Sequence, residues 1–340
     1  MNIKAVARRA GVSTATVSRT INGSDKVSPK TAEKVQKAIA ALNFYPNTNA
    51  RALGSGRSSL YGLIISDITN PFFPELVKAF EDIAVEHGQE VLVANTNYDP
   101  QRMEMCVTRM LQRKVDGLAI MTSEMDDRLL DVVSQREIPL VSLDTITPAL
   151  GWSSVRMDYA AGIRMGLEHL TALGHTRVGF LSGPMRLSSA RERVEAYRNF
   201  MDEHGFAVPP EMVQEGNHRI DGGRAAMQRV LDAAALSGVL PTAMMASNDL
   251  TAIGALGAIH DAGLRVPQDI SLIGYDDIQL SAYIQPPLTT LRLSRVEIAT
   301  AAFRALFNAR RRSAGERADS EDHIVQPIMI LRRSTGPAKD

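Results

Sequence analysis

A single cysteine in 340 residues, Cys106, excludes an internal disulfide framework and any cysteine-based zinc cluster, and it reads as an ordinary helix-face residue. Long apolar runs are missing as well. Nowhere do about 18 apolar residues follow one another without a charge, so no membrane span is expected. The first ten residues carry Lys4, Arg8 and Arg9 among small apolar side chains and lack the uninterrupted apolar stretch of a secretory signal; the expected location is the cytoplasm. His87, His169, His175, His204, His218, His260 and His323 lack metal-ligand spacing, so no metal is expected. There is no Gly-x-Gly-x-x-Gly after a strand, no phosphate loop and no nucleophile paired with a base, and neither enzyme chemistry nor a bound cofactor is expected.

Net charge is absent only in sum. Lys plus Arg and Asp plus Glu each total 38. Residues 1–60, however, hold ten basic side chains against Asp25 and Glu33, a net of +8, which leaves −8 for the other 280. Such asymmetry points to a basic module that meets a polyanion, joined to an acidic body with another task. The length suits two or three domains.

Three short helices are expected between Ile3 and Leu42. Val6, Ala7 and Ala10 make an apolar edge that stops at Gly11, and Ser13 caps a second helix from Thr14 to about Ile21. Asn22-Gly23 stops that helix; Ser28-Pro29 opens a third, with Val35, Ile39 and Leu42 as its buried stripe. Two helices across a glycine-containing turn form a helix-turn-helix. With Val17 and Ile21 facing inward, Thr14, Ala15, Ser18 and Arg19 face outward, the face that enters a major groove. Arg19 is the candidate for a bidentate contact to guanine, and Thr14 and Ala15 are short enough for thymine methyls. Ser13, Thr16, Ser18, Asn22, Tyr45 and Asn47 are hydroxyl or amide groups suited to phosphate. For three helices alone, a plain bundle with a solvated polar face reads equally well.

The longer pattern separates the two. Gly11-Val12-Ser13, Thr16-Val17-Ser18-Arg19, Ile21-Asn22-Gly23, Val27-Ser28, Leu42-Asn43-Phe44-Tyr45-Pro46-Asn47 and Ala50-Arg51-Ala52-Leu53 run in order and correctly spaced. The segment resembles the DNA-binding head of the LacI family of bacterial repressors. The resemblance implies a head over 1–46 and a hinge helix and linker over 47–59. It also implies that Leu53 wedges into the minor groove, where kinking the duplex offsets the cost of unstacking.

From residue 60 the chain alternates short apolar runs with periodic helices, the pattern of parallel sheets covered on both faces. Strands are expected at Tyr61–Ser66, Glu90–Asn95, Gly117–Met121 and Pro139–Leu143, then at Arg177–Leu181, Met212–Glu215, Ala243–Ala246 and Ser271–Tyr275. Two such sets make an α/β body of two lobes, each a doubly wound parallel sheet, with ligands beyond the carboxyl ends of the strands. Polar residues fall there: Ser66 with Asn70-Pro71-Phe72-Phe73, Asp144, Asn248-Asp249 and Asp276, and Arg191 and Arg193 open a helix after Gly183-Pro184. Carboxylates, a guanidinium and a carboxamide can hold several sugar hydroxyls, and Phe72 and Phe73 offer flat faces for a sugar ring.

The body also resembles the LacI family, and through it the periplasmic sugar-binding proteins, over nearly its whole length. Asn70-Pro71-Phe72-Phe73, Ser189-Ala190-Arg191-Glu192-Arg193, Asn248-Asp249, Val266-Pro267-Gln268-Asp269-Ile270, Gly274-Tyr275-Asp276-Asp277 and Pro287-Leu288-Thr289-Thr290 carry the match. It implies effector hydrogen bonds from Asp144, Arg193, Asn248 and Asp276, and ring contacts from Asn70, Phe72 and Phe73. Arg191 is read as supporting its lobe. His218 stands where relatives often stack an aromatic residue on the ligand, and its plain alternative is a solvated loop residue. Leu293 replaces a glutamine or histidine of many relatives, and Thr145 an arginine of ribose binders, so a less hydroxylated, substituted or differently shaped sugar stands beside ribose.

The expected architecture is therefore a small all-α head followed by a periplasmic-binding-protein-like body over 60–340. Its lobes are expected near 60–158 with 292–321, and 160–290 with 323–334, with crossings near Asp158, Thr290–Leu293 and Asp322. The expected function is a repressor of carbohydrate transport and catabolism genes that binds a pseudo-palindromic duplex and is released by a small sugar. Only seven residues follow Arg333 and they hold no heptad repeat, so a homodimer rather than a tetramer is expected. Alternatives are a corepressor such as a purine or a partner phosphoprotein and, from other classes, a solute-binding protein or a sugar-metabolism enzyme.

Overall fold

Asn2, Ser13 and Ser28 each turn a side-chain oxygen onto a backbone N–H and so begin a helix: α1 (Ile3–Ala10), α2 (Thr14–Ile21) and α3 (Pro29–Ala41). The computed structural model describes residues 2–45, 58–122, 127–136, 138–144, 152–311 and 322–339, and the chain divides into two units, residues 1–59 and 60–340. The expected hinge helix with Asn47 and Leu53, Thr145, and the stretch Ser313 to Ser320, expected to be disordered, lie outside the described residues. In the first unit Gly11 takes φ +67°, a left-handed turn that ends α1 without a Cβ penalty. Val6, Ala7, Val17, Val35 and Ala38 are buried together, and Ile21, Ile39 and Leu42 pack against them.

The second unit contains two six-stranded sheets, ordered β11-β5-β4-β3-β1-β2 and β12-β10-β9-β8-β6-β7. The first sheet takes β1 (Leu60–Ile65), β2 (Glu90–Asn95), β3 (Gly117–Met121), β4 (Leu140–Leu143), β5 (Trp152–Met157) and β11 (Asp322–Val325). The second takes β6 (Val178–Ser182), β7 (Val213–Glu215), β8 (Ala243–Ala246), β9 (Ser271–Asp276), β10 (Thr289–Arg292) and β12 (Ile328–Ile330). All pairings are parallel except β10 with β12. In each sheet the order reverses beside the first strand of the set, the position where a crevice opens past the strand ends.

Helices cover both faces: α4 (Phe72–Glu86), α5 (Pro100–Gln112), α6 (Asp127–Ser134), α7 (Tyr159–Ala172), α8 (Ser188–Glu203), α9 (Ile220–Ser237), α10 (Asp249–Asp261) and α11 (Arg295–Arg311). Phe72 and Phe73 form the first turn of α4. Trp152–Met157 was not expected as a strand because Ser153, Ser154 and Arg156 break the apolar run; its burial is nevertheless high, since it lies between β4 and β11.

The chain passes between lobes at Asp158, at Leu293–Ser294 and at Gln326–Pro327. The third crossing was expected near Asp322. Instead Asp322–Val325 pairs with Ser154–Met157 in the first sheet, and only Ile328–Ile330 joins the second.

Candidate functional site

The head presents Thr14, Ala15, Ser18 and Arg19 on one exposed side of α2, with Val17 buried behind them. Ser13 and Asn22, at the two ends of α2, are exposed, and Tyr45 is 85% exposed. Thr16 is half-buried and shares a 2.9 Å hydroxyl contact with Ser13, whose oxygen also accepts from the Thr16 backbone N–H at 3.1 Å. Ser13 therefore caps the helix first. An exposed helix face bearing one guanidinium among small polar side chains, in a segment with net positive charge, is an arrangement that can enter a groove of DNA.

In the body, Ser66, Asn70, Phe72, Phe73, Arg193, His218, Asn248 and Asp276 all line one cleft past the strand ends, a space of about 510 Å³ including its open part. These are eight of the nine expected effector residues. The ninth, Asp144, is set behind the wall: its two oxygens accept from the Met157 N–H at 3.0 Å and the Tyr159 hydroxyl at 2.6 Å. Burial pushes the Asp144 pKa up, although both hydrogen bonds and Arg193 act against it. Asp144 thus holds Tyr159, and Tyr159 rather than Asp144 reaches the cleft. Tyr98, Thr122, Met157 and Tyr159 line the same space and were not singled out from sequence.

Arg193 is 6% exposed on α8. Its guanidinium lies 4.0 Å from the Tyr159 ring centroid and 4.8 Å from that of Tyr275. A desolvated cation–π contact is worth about 2 kcal/mol, and the aromatic rings against its faces leave only its edge for further contacts. That edge is partly unused: one terminal nitrogen donates to the Ser189 carbonyl at 3.3 Å, while the buried Nε has no partner. Nearby Tyr159, Tyr275, Asp276 and Asp144 hold it charged against the cost of burial.

Asp276 ends β9 with φ +109°, a conformation unusual for a non-glycine residue. Its carboxylate accepts no hydrogen bond from the described residues. Burial, and then the neighbouring charge of Asp249, push its pKa up to about 8, against the pull of Arg193 and Arg295. Asp249, in contrast, is fully engaged, accepting from the Ser281 hydroxyl at 2.6 Å, the Thr290 hydroxyl at 2.5 Å and the Ile278 N–H at 2.8 Å. One carboxylate is structural, and the other is open to a ligand.

Asn248 divides its carboxamide: the oxygen accepts from the Thr251 N–H at 2.9 Å and starts α10, and the nitrogen donates to the His218 carbonyl at 3.0 Å. One N–H remains for the cleft. Asn70 similarly accepts from the Phe72 N–H at 3.1 Å, which seats the aromatic pair. Phe72 and Phe73 stand edge to face, centroids 5.3 Å apart.

His218 is buried, not a solvated loop residue. Burial and the charges of Arg193 and Arg186 depress its pKa to about 3, so the imidazole is neutral. It stacks on Tyr98 at 6.1 Å. Gly183 makes room for it, since a Cβ there would overlap the ring. Asn97, Tyr98, Asp144, His218 and Asp276 all take positive φ, a concentration of backbone strain at about 1–3 kcal/mol each that marks functional clefts.

The same loops also close the lobes on each other. Arg219, next to His218, forms a 2.8 Å ion pair with buried Asp67, next to Ser66, and donates to the Asn97 side chain at 2.5 Å. Burial works to raise the Asp67 pKa, but hydrogen bonds from Thr69 and Arg219 outweigh it and hold the group ionised. Arg186 donates across the cleft to the Tyr98 carbonyl at 3.1 Å. Near Leu293, Arg295 ties Glu75, at 3.0 Å and 2.5 Å, to the carbonyls of Asp276 and Asp277 at 2.6 Å and 2.9 Å. Residues lining the cleft are therefore next neighbours of those bridging the lobes.

Among the described residues no group of three or more potential ligand side chains could hold a metal ion, and no helix is long and apolar enough to cross a membrane.

Comparison with known proteins agrees with this division. Residues 2–47 match the family described as bacterial regulatory proteins, lacI family, and residues 167–335 match a periplasmic binding protein-like domain. The transcriptional regulator GalR of Escherichia coli (strain K12) is 34% identical over 98% of this chain and 95% of its own length. The ribose operon repressor of Haemophilus influenzae is 32% identical, over 98% of each chain. Among solved structures, a lac repressor dimer bound to operator and the anti-inducer ONPF is similar with a TM-score of 0.86 at 31% identity, covering 99% of both chains. With head and body matched over nearly the full length, the chain belongs to the lacI family of bacterial regulatory proteins, as a DNA-binding transcriptional regulator.

Proposed function

We propose that the protein is a homodimeric repressor of carbohydrate transport and catabolism genes, released from a pseudo-palindromic operator by a monosaccharide or derivative bound in the cleft. The observation that carries the effector half is the Asp276 carboxyl group, free of hydrogen bonds from the described residues, near the partly unpartnered guanidinium of Arg193 in a strand-end cleft walled by Phe72 and Phe73. A carboxylate accepts from two hydroxyls and a guanidinium donates to others, a pairing suited to neutral polyols. The names of similar proteins support the same reading: one is a ribose operon repressor, and another is a dimer on its operator with a small-molecule anti-inducer.

On this reading Thr14, Ala15 and Arg19 read bases in the major groove, Leu53 wedges into the minor groove, and Ser13, Thr16, Ser18, Asn22, Tyr45 and Asn47 grip phosphates. Two heads on one duplex require a fixed spacing. Effector binding acts on it by favouring one arrangement of the lobes, and the coupling equals the difference in effector affinity between the DNA-competent and released states.

Selection of a random duplex library by the full-length protein tests the DNA half. The expected outcome is a two-fold-symmetric consensus whose affinity falls steeply with salt as phosphate counterions are released. An asymmetric consensus, or no enrichment at all, contradicts the proposal.

A further inference from the structure

The hydrogen-bonding capacity of the cleft is unevenly placed. In the first sheet β1 leads to Ser66, with Asn70 in the following loop, whereas Met121, Leu143 and Met157 stand at the ends of β3, β4 and β5, three consecutive strands. In the second sheet the neighbouring strands β8 and β9 lead to Asn248 and Asp276, and β10 leads to Leu293, which is 1% exposed. Leu293, Met121, Leu143 and Met157 belong to one continuous buried cluster with Phe72 and Phe73. Behind that wall Asp144 gives no relief, because both its oxygens already accept from Met157 and Tyr159. The Thr122 hydroxyl is the exception, buried and without a partner.

We infer that the cleft selects a deoxy sugar: a neutral monosaccharide turning its hydroxyl-bearing edge to Asp276, Arg193 and Asn248 and a methyl-bearing edge to Leu293, Leu143 and Met157. The inference rests on the reading of the cleft as a sugar site and names the class of sugar. A fully hydroxylated hexose would bury a hydroxyl against the leucine and methionine wall with only the Thr122 hydroxyl to replace its water. A 6-deoxyhexose puts a methyl group there and gains apolar contact.

Calorimetric titration of the full-length protein with matched pairs tests this: D-galactose against D-fucose, L-mannose against L-rhamnose, and D-glucose against 6-deoxy-D-glucose. In whichever pair binds, the deoxy member is expected to bind about tenfold tighter or more, and Leu293→Gln is expected to shrink or reverse that ratio. Equal or tighter binding of the hydroxylated member overturns the deoxy preference and leaves the sugar site standing. Absence of binding by every sugar, from a preparation that still binds its selected duplex, overturns the sugar reading and this inference with it.

Discussion

Asp276→Asn is expected to weaken effector binding by about 10- to 100-fold and, at the same time, to raise the melting temperature of the ligand-free protein at pH 8. The loss in affinity follows from replacing a charged acceptor by a neutral one, since hydrogen bonds to charged groups are worth about 1.5–3 kcal/mol. The gain in stability follows from the sign of the pKa shift. Folding raises this carboxyl from 3.8 to about 8 through burial and the Asp249 charge. Stability linked to the protonated form is complete below the unfolded pKa and is lost as pH rises through the folded one. Asparagine carries no charge at any pH, so the variant's melting profile is expected to flatten across that interval. Sugar hydroxyls donate to the ionised form, so wild-type binding releases a proton and tightens as pH rises from about 6 to 8, by up to about tenfold per unit. Parallel melting profiles for wild type and variant would remove Asp276 from this role. The trade is the usual one at a binding site, where a group poised for a ligand costs stability without it.

Arg19→Ala is expected to lower affinity for the selected duplex by about 10- to 100-fold, the equivalent of about 1–3 kcal/mol for a lost bidentate base contact. Preference at the contacted base pair relaxes, and affinity for a scrambled duplex changes little. Arg19 lies on the exposed side of α2, and the neighbouring buried Val17 keeps that side turned outward. The substitution removes charge without opening the core, so the head stays folded. Competition binding with selected and scrambled duplexes separates the outcomes: an equal loss on both would make Arg19 a phosphate contact only.

The head is legible from sequence because its punctuation is local. Ser13, Ser28-Pro29 and Gly11 act on the next three or four residues, and the structure puts each of them at the helix end its chemistry dictates. The cleft is legible where a polar residue follows a buried strand, as with Ser66, Asn248 and Asp276. It is illegible where the cleft residue is apolar or comes from a distant loop. Met157 ends a strand whose serines and arginine disguise it, and Tyr98 reaches the site from the loop after β2. The displacement of Asp144 from the cleft depends on a tyrosine fifteen residues away filling its acceptor sites. No spacing rule anticipates that contact. The last lobe crossing was misplaced for a similar reason, because Asp322–Val325 and Ile328–Ile330 read as one apolar run and only their partners assign them to different sheets.

Fluorescence anisotropy of the selected duplex, titrated with full-length protein in the presence and absence of the tightest-binding sugar, measures the coupling between cleft and operator. Saturating sugar is expected to weaken duplex binding by about 5- to 150-fold, the usual range of allosteric coupling, and Asp276→Asn is expected to remove this response while binding the duplex normally. Duplex affinity unchanged by a sugar that demonstrably occupies the cleft would contradict this coupling.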